Sequence, residues 1–237
     1  MPIVGVETLT FGVADLETSV RFHEDFGLVL DERTPGHARF RLAEGSTVEF
    51  RPSEDPVMPP AFLDGPGPRE IVWGVASAEA LAALAEDLGR DREVAVDPDG
   101  TLHLTDDGGM RIGFRRFERV PLALETAPGE NNLSQTTRWN RHRKWYESAR
   151  PKVINHVVFG LPEVERRVDF YVERLGFRVT DIIRGFGVFL RCDGRHDHHN
   201  LLLFRAGKRL FSHVSFGVET IDELMTGANL MQRRGWS

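Results

Sequence analysis

The feature that most constrains this chain is one short strand written twice. Residues 152–161 read K-V-I-N-H-V-V-F-G-L, and residues 210–218 read L-F-S-H-V-S-F-G-V. Each copy carries one histidine, His156 or His213, three residues before a Phe-Gly pair, Phe159-Gly160 or Phe216-Gly217. In a strand, an odd offset sends two side chains to opposite faces. Both histidines therefore share one face and both phenylalanines share the other. Recurrence at one repeat position marks a repeated supersecondary unit rather than two unrelated strands. Paired imidazoles on rigid strands suit a divalent metal with open coordination positions.

Two further copies of the marker stand upstream, Phe11-Gly12-Val13 and Trp73-Gly74-Val75. Each ends a strand and is followed by a helix signal and three short strands. In the first unit Asp15 is placed to cap a helix running to about Phe26, with Leu16, Val20 and His23 on one face. Strands at 28–34, 37–42 and 47–52 follow, punctuated by Gly36 and Gly45. In the second unit Ser77 caps an alanine-rich helix to about Leu88. Strands follow near 93–96, 101–105 and 111–117, with turn signals D-P-D-G at 97–100 and D-D-G-G at 106–109.

The third unit opens at Lys152. Pro162 suits the first turn of its helix, and Val164, Val168, Tyr171, Val172 and Leu175 follow one helical face. Strands are expected at 178–183, 188–192 and 200–205. The fourth unit opens at Leu210 and gives one strand and a helix with Ile221, Leu224, Met225 and Ala228 on one face. The fold class is α+β: tandem βαβββ modules making two domains, the fourth module incomplete by about three strands. The expected division is residues 1–117 as an N-terminal domain of two modules, 118–151 as a linker, and 152–237 as a C-terminal domain. The linker holds Pro121, Pro128 and Pro151, a polar run at 129–137 and W-N-R-H-R-K-W-Y at 139–146, with room for one short helix.

Composition adds exclusions. A length of 237 residues allows two ordinary domains. A net charge of −6 gives no basic footprint, which argues against nucleic acid as a partner. Cys192 is the single cysteine, so no intrachain disulfide forms, in keeping with a reducing cytoplasm. The opening M-P-I-V-G-V-E-T lacks the form of a signal peptide, and no apolar run reaches the roughly 18 residues of a membrane span.

The βαβββ repeat resembles the vicinal oxygen chelate superfamily, which includes glyoxalase I, bleomycin-resistance proteins and the type I extradiol dioxygenases. The motifs that carry the resemblance are S-V-R-F-H at 19–23, V-D-F-Y at 168–171 and L-G-F at 175–177. Histidines confined to the third and fourth units look most like the two-domain extradiol (catechol 2,3-) dioxygenases, whose N-terminal domain is metal-free. The resemblance implies that His156 and His213 are two ligands of an iron(II) centre, with manganese(II) also compatible. It implies a glutamate as third ligand, on the last strand of the fourth unit, expected beyond Ser237, so that the chain as it stands lacks one ligand. At the equivalent first-strand places the first two units have Thr8 and Glu70, and Glu49 stands where a last-strand glutamate would.

The segment F-L-R-C-D-G-R-H-D-H-H-N-L-L-L-F at 189–204 extends the likeness. It implies a histidine acid/base above the substrate ring. His199 is the best match, with His198 and His196 as alternatives. The reaction implied is cleavage of a catecholic aromatic ring by dioxygen in a homo-oligomeric cytoplasmic enzyme. Two other readings stand beside it: a metal-free small-molecule-binding protein of the bleomycin-resistance type, and a glyoxalase-like metal-dependent isomerase or lyase.

Overall fold

The computed structural model describes residues 3–123, 144–192 and 197–236. It is an α+β structure with one eight-stranded and one five-stranded sheet. The larger sheet begins with β1 (Ile3–Val13), α1 (Leu16–Phe26), β2 (Val29–Thr34), β3 (His37–Arg41) and β4 (Thr47–Pro52). It continues with β5 (Gly67–Val75), α2 (Ala78–Leu88), β6 (Ala95–Val96), β7 (Leu102–Thr105) and β8 (Arg111–Arg116). The strand order is β2-β3-β4-β1-β5-β8-β7-β6. The first strand of each repeat sits at the centre: β1 pairs antiparallel with β5, while β1 and β5 run parallel to β4 and β8.

The caps foreseen in the sequence are in place. The Asp15 side chain accepts from the Thr18 N–H, and the Ser77 side chain accepts from the Ala80 N–H. Each satisfies one of the donors that a helix start leaves unpaired. Gly27 closes α1 in the left-handed region (φ 100°), where a side chain is strained.

The second sheet is built from β9 (Val153–Leu161), β10 (Arg178–Ile183), β11 (Gly187–Arg191), β12 (Leu201–Arg205) and β13 (Leu210–Gly217), in the order β10-β11-β12-β9-β13. Its centre copies the first sheet. β9 runs parallel to β12 as β1 does to β4, and antiparallel to β13 as β1 does to β5. Two helices complete it, α3 (Val164–Asp169) and α4 (Ile221–Arg233). The polar run at 129–137 and most of the basic-aromatic run lie outside the described residues.

The marker aromatics pack the two halves together. Phe11 meets Phe211 with ring centroids 5.6 Å apart, Phe159 meets Phe62 at 5.4 Å, and Trp73 meets Phe177 at 5.0 Å. Each such ring removes a large apolar area from water. Between the same halves lies a fully buried ion pair, Arg167 Nε to Asp106 Oδ2 at 2.6 Å. The second Asp106 oxygen accepts the Gly108 and Met110 N–H groups, both at 2.9 Å. The D-D-G-G turn thus also holds the anion for a cation 61 residues away in sequence.

Three local expectations are corrected. Pro162 is not in the first helical turn, because Glu163 is the N-cap and α3 starts at Val164. The helix then widens into one π-helical turn, Phe170–Arg174, which rotates the inward face. Phe170 and Arg167 become buried beside Tyr171, while Val168 and Val172 are only half-buried. In α4, Ile221, Leu224, Met225 and Ala228 do lie together, but that face is exposed. The inward face carries Glu223 and Gly227 instead. The Glu223 carboxylate accepts from Lys152 Nζ at 2.9 Å and from the Arg150 and Glu219 N–H groups, and Gly227 packs on Ala149 where a Cβ has no room. A fully bonded carboxylate can be buried where an unpaired one cannot.

Candidate functional site

β9 and β13 are adjacent antiparallel strands, and they bring His156 and His213 face to face. Their Nε2 atoms are 3.1 Å apart. Two nitrogens on a common ion at roughly 2.1 Å lie about 3.0 Å apart if they take adjacent octahedral positions and about 3.4 Å if tetrahedral. The observed spacing therefore fits a shared divalent ion at adjacent positions. The ring planes stand 73° apart, so both lone pairs can converge on one point without stacking.

Electrostatics favours an uncharged His156 ring. The His156 pKa is pushed down to about 4, first by burial and then by its neighbours His199 and His213. An uncharged imidazole keeps a lone pair for a cation. His213 is braced from outside: Ser212 Oγ lies 3.0 Å from its Nδ1. With Nδ1–H donating to that hydroxyl, Nε2 is the nitrogen left with a lone pair.

His199 joins the array. Its ring lies over His156 with centroids 4.2 Å apart and 32° between planes. Burial, and then the His198 and His213 imidazoles, hold its pKa below the usual histidine range. His199 Nδ1 is engaged by His198 Nδ1 at 3.1 Å, and Phe189 packs on both rings at 4.9 and 5.2 Å. His198 is exposed and leans toward Asp181, whose Oδ2 is 3.9 Å from its Nε2. His196 lies outside the described residues. Among the described residues no group of three or more His, Cys, Asp or Glu side chains gathers as a metal site.

Sequence reasoning passed over Asn200. Fully buried, it accepts from the Cys192 N–H at 3.1 Å and donates to the Asn155 carbonyl at 2.9 Å. It therefore ties the loop carrying His199 to the strand residue next to His156. The signal was an amide flanked by a histidine and an apolar strand, a common surface pattern, so only its burial reveals the role.

The place equivalent to the imidazole pair in the first sheet is filled differently. Thr8 Oγ1 shares a hydrogen bond with Thr47 Oγ1 and donates to Glu7, both at 2.7 Å. Glu70 takes His103 Nδ1 at 2.7 Å and Arg111 Nε at 3.4 Å. Glu49 lies 3.4 Å from His37 Nε2.

Comparisons with known proteins agree with this architecture. Residues 153–237 match the model of the Glyoxalase/Bleomycin resistance protein/Dioxygenase superfamily, and the chain carries a domain of that superfamily. A curated relative, metapyrocatechase 2 of Cupriavidus necator, is 29% identical over 165 residues, which is 68% of this chain. The matched part spans 48% of that relative, about half its length. Among solved structures, the Mn(II)-bound glyoxalase from Novosphingobium aromaticivorans superposes with a TM-score of 0.72 at 20% identity, covering 99% of this chain and 72% of that one. Homoprotocatechuate 2,3-dioxygenase from Arthrobacter globiformis gives 0.73 at 18% identity, covering 99% and 69%. At these identities the structural likeness establishes the fold. Among the described residues, no helix is long and apolar enough to cross a membrane.

Proposed function

We propose that this chain is an extradiol ring-cleaving dioxygenase acting on a catecholic substrate, with His156 and His213 as two protein ligands of a divalent iron or manganese ion. The observation that carries the reading is the 3.1 Å separation of the two imidazole Nε2 atoms on neighbouring strands. The similarity to metapyrocatechase 2 supports the substrate class. The same reading makes residues 1–117 a metal-free domain and residues 152–237 the catalytic one.

An ion held by His156 and His213 would supply the redox chemistry that joins a vicinal diol to dioxygen. The chain's own residues do the rest. His156 and His213 present their Nε2 atoms toward one point. His199, stacked on His156, accepts a proton from a catechol hydroxyl and returns one to oxygen as the ring carbon–carbon bond opens. Both oxygen atoms of dioxygen end in the ring-opened product, so no external reductant is consumed. Phe189 fixes the His199 ring, and Asn200 fixes its loop.

The test is anaerobic loading with iron(II) or manganese(II), metal analysis, and then oxygen uptake with a panel of substituted catechols. Stoichiometric oxygen uptake coupled to a ring-opened chromophore is the expected result once a third, carboxylate ligand is supplied. With that ligand supplied, metal binding without oxygen uptake on any catechol would return the chain to the isomerase reading, and no metal binding would sink both.

A further inference from the structure

A second concavity lies away from the histidines, on the face of the eight-stranded sheet that carries Thr10, Glu49, Glu70 and Arg111. These four residues stand level on neighbouring strands: Glu49 pairs with Thr10, Thr10 with Glu70, and Glu70 with Arg111. Together with Arg51, Asp97 and His103 they line a cavity of about 430 Å³. Val57, Met58, Pro59 and Pro60 form an apolar wall on one side. The volume falls within the range of small-molecule sites, roughly 300–1,000 Å³.

The lining mixes both signs of charge, with Glu49, Glu70 and Asp97 against Arg51, Arg111 and, when protonated, His103. A mixed lining favours neither a simple cation nor a simple anion strongly. Most of its charges are already engaged. Glu70 is held by His103 at 2.7 Å, Asp97 by the other His103 nitrogen at 3.2 Å, and Arg51 by Asp55 at 3.1 Å. Two groups are held less closely. Among the described residues Glu49 accepts no hydrogen bond; its neighbour His37 is buried with an Nε2 that makes no hydrogen bond and lies 3.4 Å away. Arg111 is ion-paired with Glu70, Nε to Oε1 at 3.4 Å, and makes no side-chain hydrogen bond among the described residues.

A carboxylate wanting donors and a guanidinium fork wanting acceptors stand on opposite sides of one cavity, with two strands between them. We propose that this cavity binds a small zwitterion, its ammonium on Glu49, its carboxylate on the Arg111 fork, and its apolar stem along the 57–60 wall. The guanidinium fork matches the two oxygens of a carboxylate. The proposal does not depend on the ring-cleavage reading, since no residue of the histidine array takes part.

The experiment is isothermal titration calorimetry of the 237-residue chain with ω-amino carboxylates from glycine to 6-aminohexanoate. Butylamine and butyrate serve as single-charge probes. Saturable heat is expected within the series, with the single-charge probes at least about tenfold weaker. Glu49→Gln and Arg111→Gln should each lower affinity by about tenfold or more. Met58→Trp, on the wall loop and outside the sheet, fills the cavity and should abolish binding without touching the strands, which keeps the test open if a strand variant fails to fold. No saturable heat across the series, equal binding of butylamine or butyrate, or undiminished binding by Met58→Trp would overturn the proposal.

Discussion

The two sheets use one backbone plan at their centres and put opposite chemistry on it. Where β9 and β13 present His156 and His213, β1 and β5 present Thr8 and Glu70. In the second sheet two imidazoles turn toward each other, their Nε2 atoms 3.1 Å apart. In the first, Glu70 is already neutralised by His103 and Arg111, and Thr8 is hydrogen-bonded to Thr47 beside the Glu7–Arg115 pair. Strand pairing brings residues together in both places, but it does not say what they can hold. A site stocked with guanidinium groups repels a divalent cation, and a pair of imidazole nitrogens facing each other can admit one.

That contrast can be broken most sharply at the metal. His156→Ala or His213→Ala should lower affinity for iron(II) or manganese(II) by more than about 100-fold, beyond the usual effect of losing a supporting hydrogen bond. The reciprocal graft, Thr8→His with Glu70→His, should add no second equivalent, because Arg111 and Arg115 remain. Metal content after anaerobic loading reads both. A second equivalent in the graft would show that the backbone, rather than the surrounding charge, decides.

Turnover separates the ligands from their neighbour. Where the third, carboxylate ligand is supplied, His199→Ala should retain metal yet lose about 10²–10⁴ in oxygen-dependent turnover, the usual worth of a positioned acid/base. Loss of metal, or unchanged turnover, would move that role to His198 or His196.

The joint between the halves comes next. Asp106→Asn leaves Arg167 as a buried charge without its anion and should destabilise the fold by about 3–5 kcal/mol. Adding Arg167→Met should recover most of that loss, because the stranded cation goes too. Urea midpoints of the three variants measure it, and equal midpoints for the single and double variants would contradict the pairing.

Ser212 offers a finer cut. Ser212→Ala should weaken metal binding by about 10–100-fold through loss of the hydroxyl at His213 Nδ1, while Ser212→Thr keeps the hydroxyl and the affinity. A purely structural role would shift the melting temperature without this split.

The smallest effect belongs to the first sheet. The hydrogen bond from Glu70, and then its charge and that of Asp97, raise the His103 pKa, against burial and Arg111. A raised folded pKa gives stability that is fully present below the ordinary value of about 6.5 and is lost as pH rises through the folded value. The wild type should therefore lose stability relative to His103→Gln between about pH 6 and 8, by under about 1 kcal/mol. Thermal melts across that range check it, and a difference that grows with rising pH would reverse the sign of the coupling.

The sequence by itself determined the repeat, the order of strands and helices, the caps at Asp15 and Ser77, and the shared face of His156 and His213. All of these rest on physics that acts within a few residues: side-chain alternation, helical spacing, and a side-chain oxygen reaching one turn along. The tertiary structure decided what burial and charge do over longer distances. It turned the apolar face of α4 outward, because Glu223 found Lys152 and two N–H groups inside. It inserted a π-helical turn at Phe170–Arg174 on the helix whose Arg167 pairs with Asp106. It also made Asn200 a brace rather than a surface amide. Each depends on a partner many residues away, and periodicity along the chain carries no record of who that partner is.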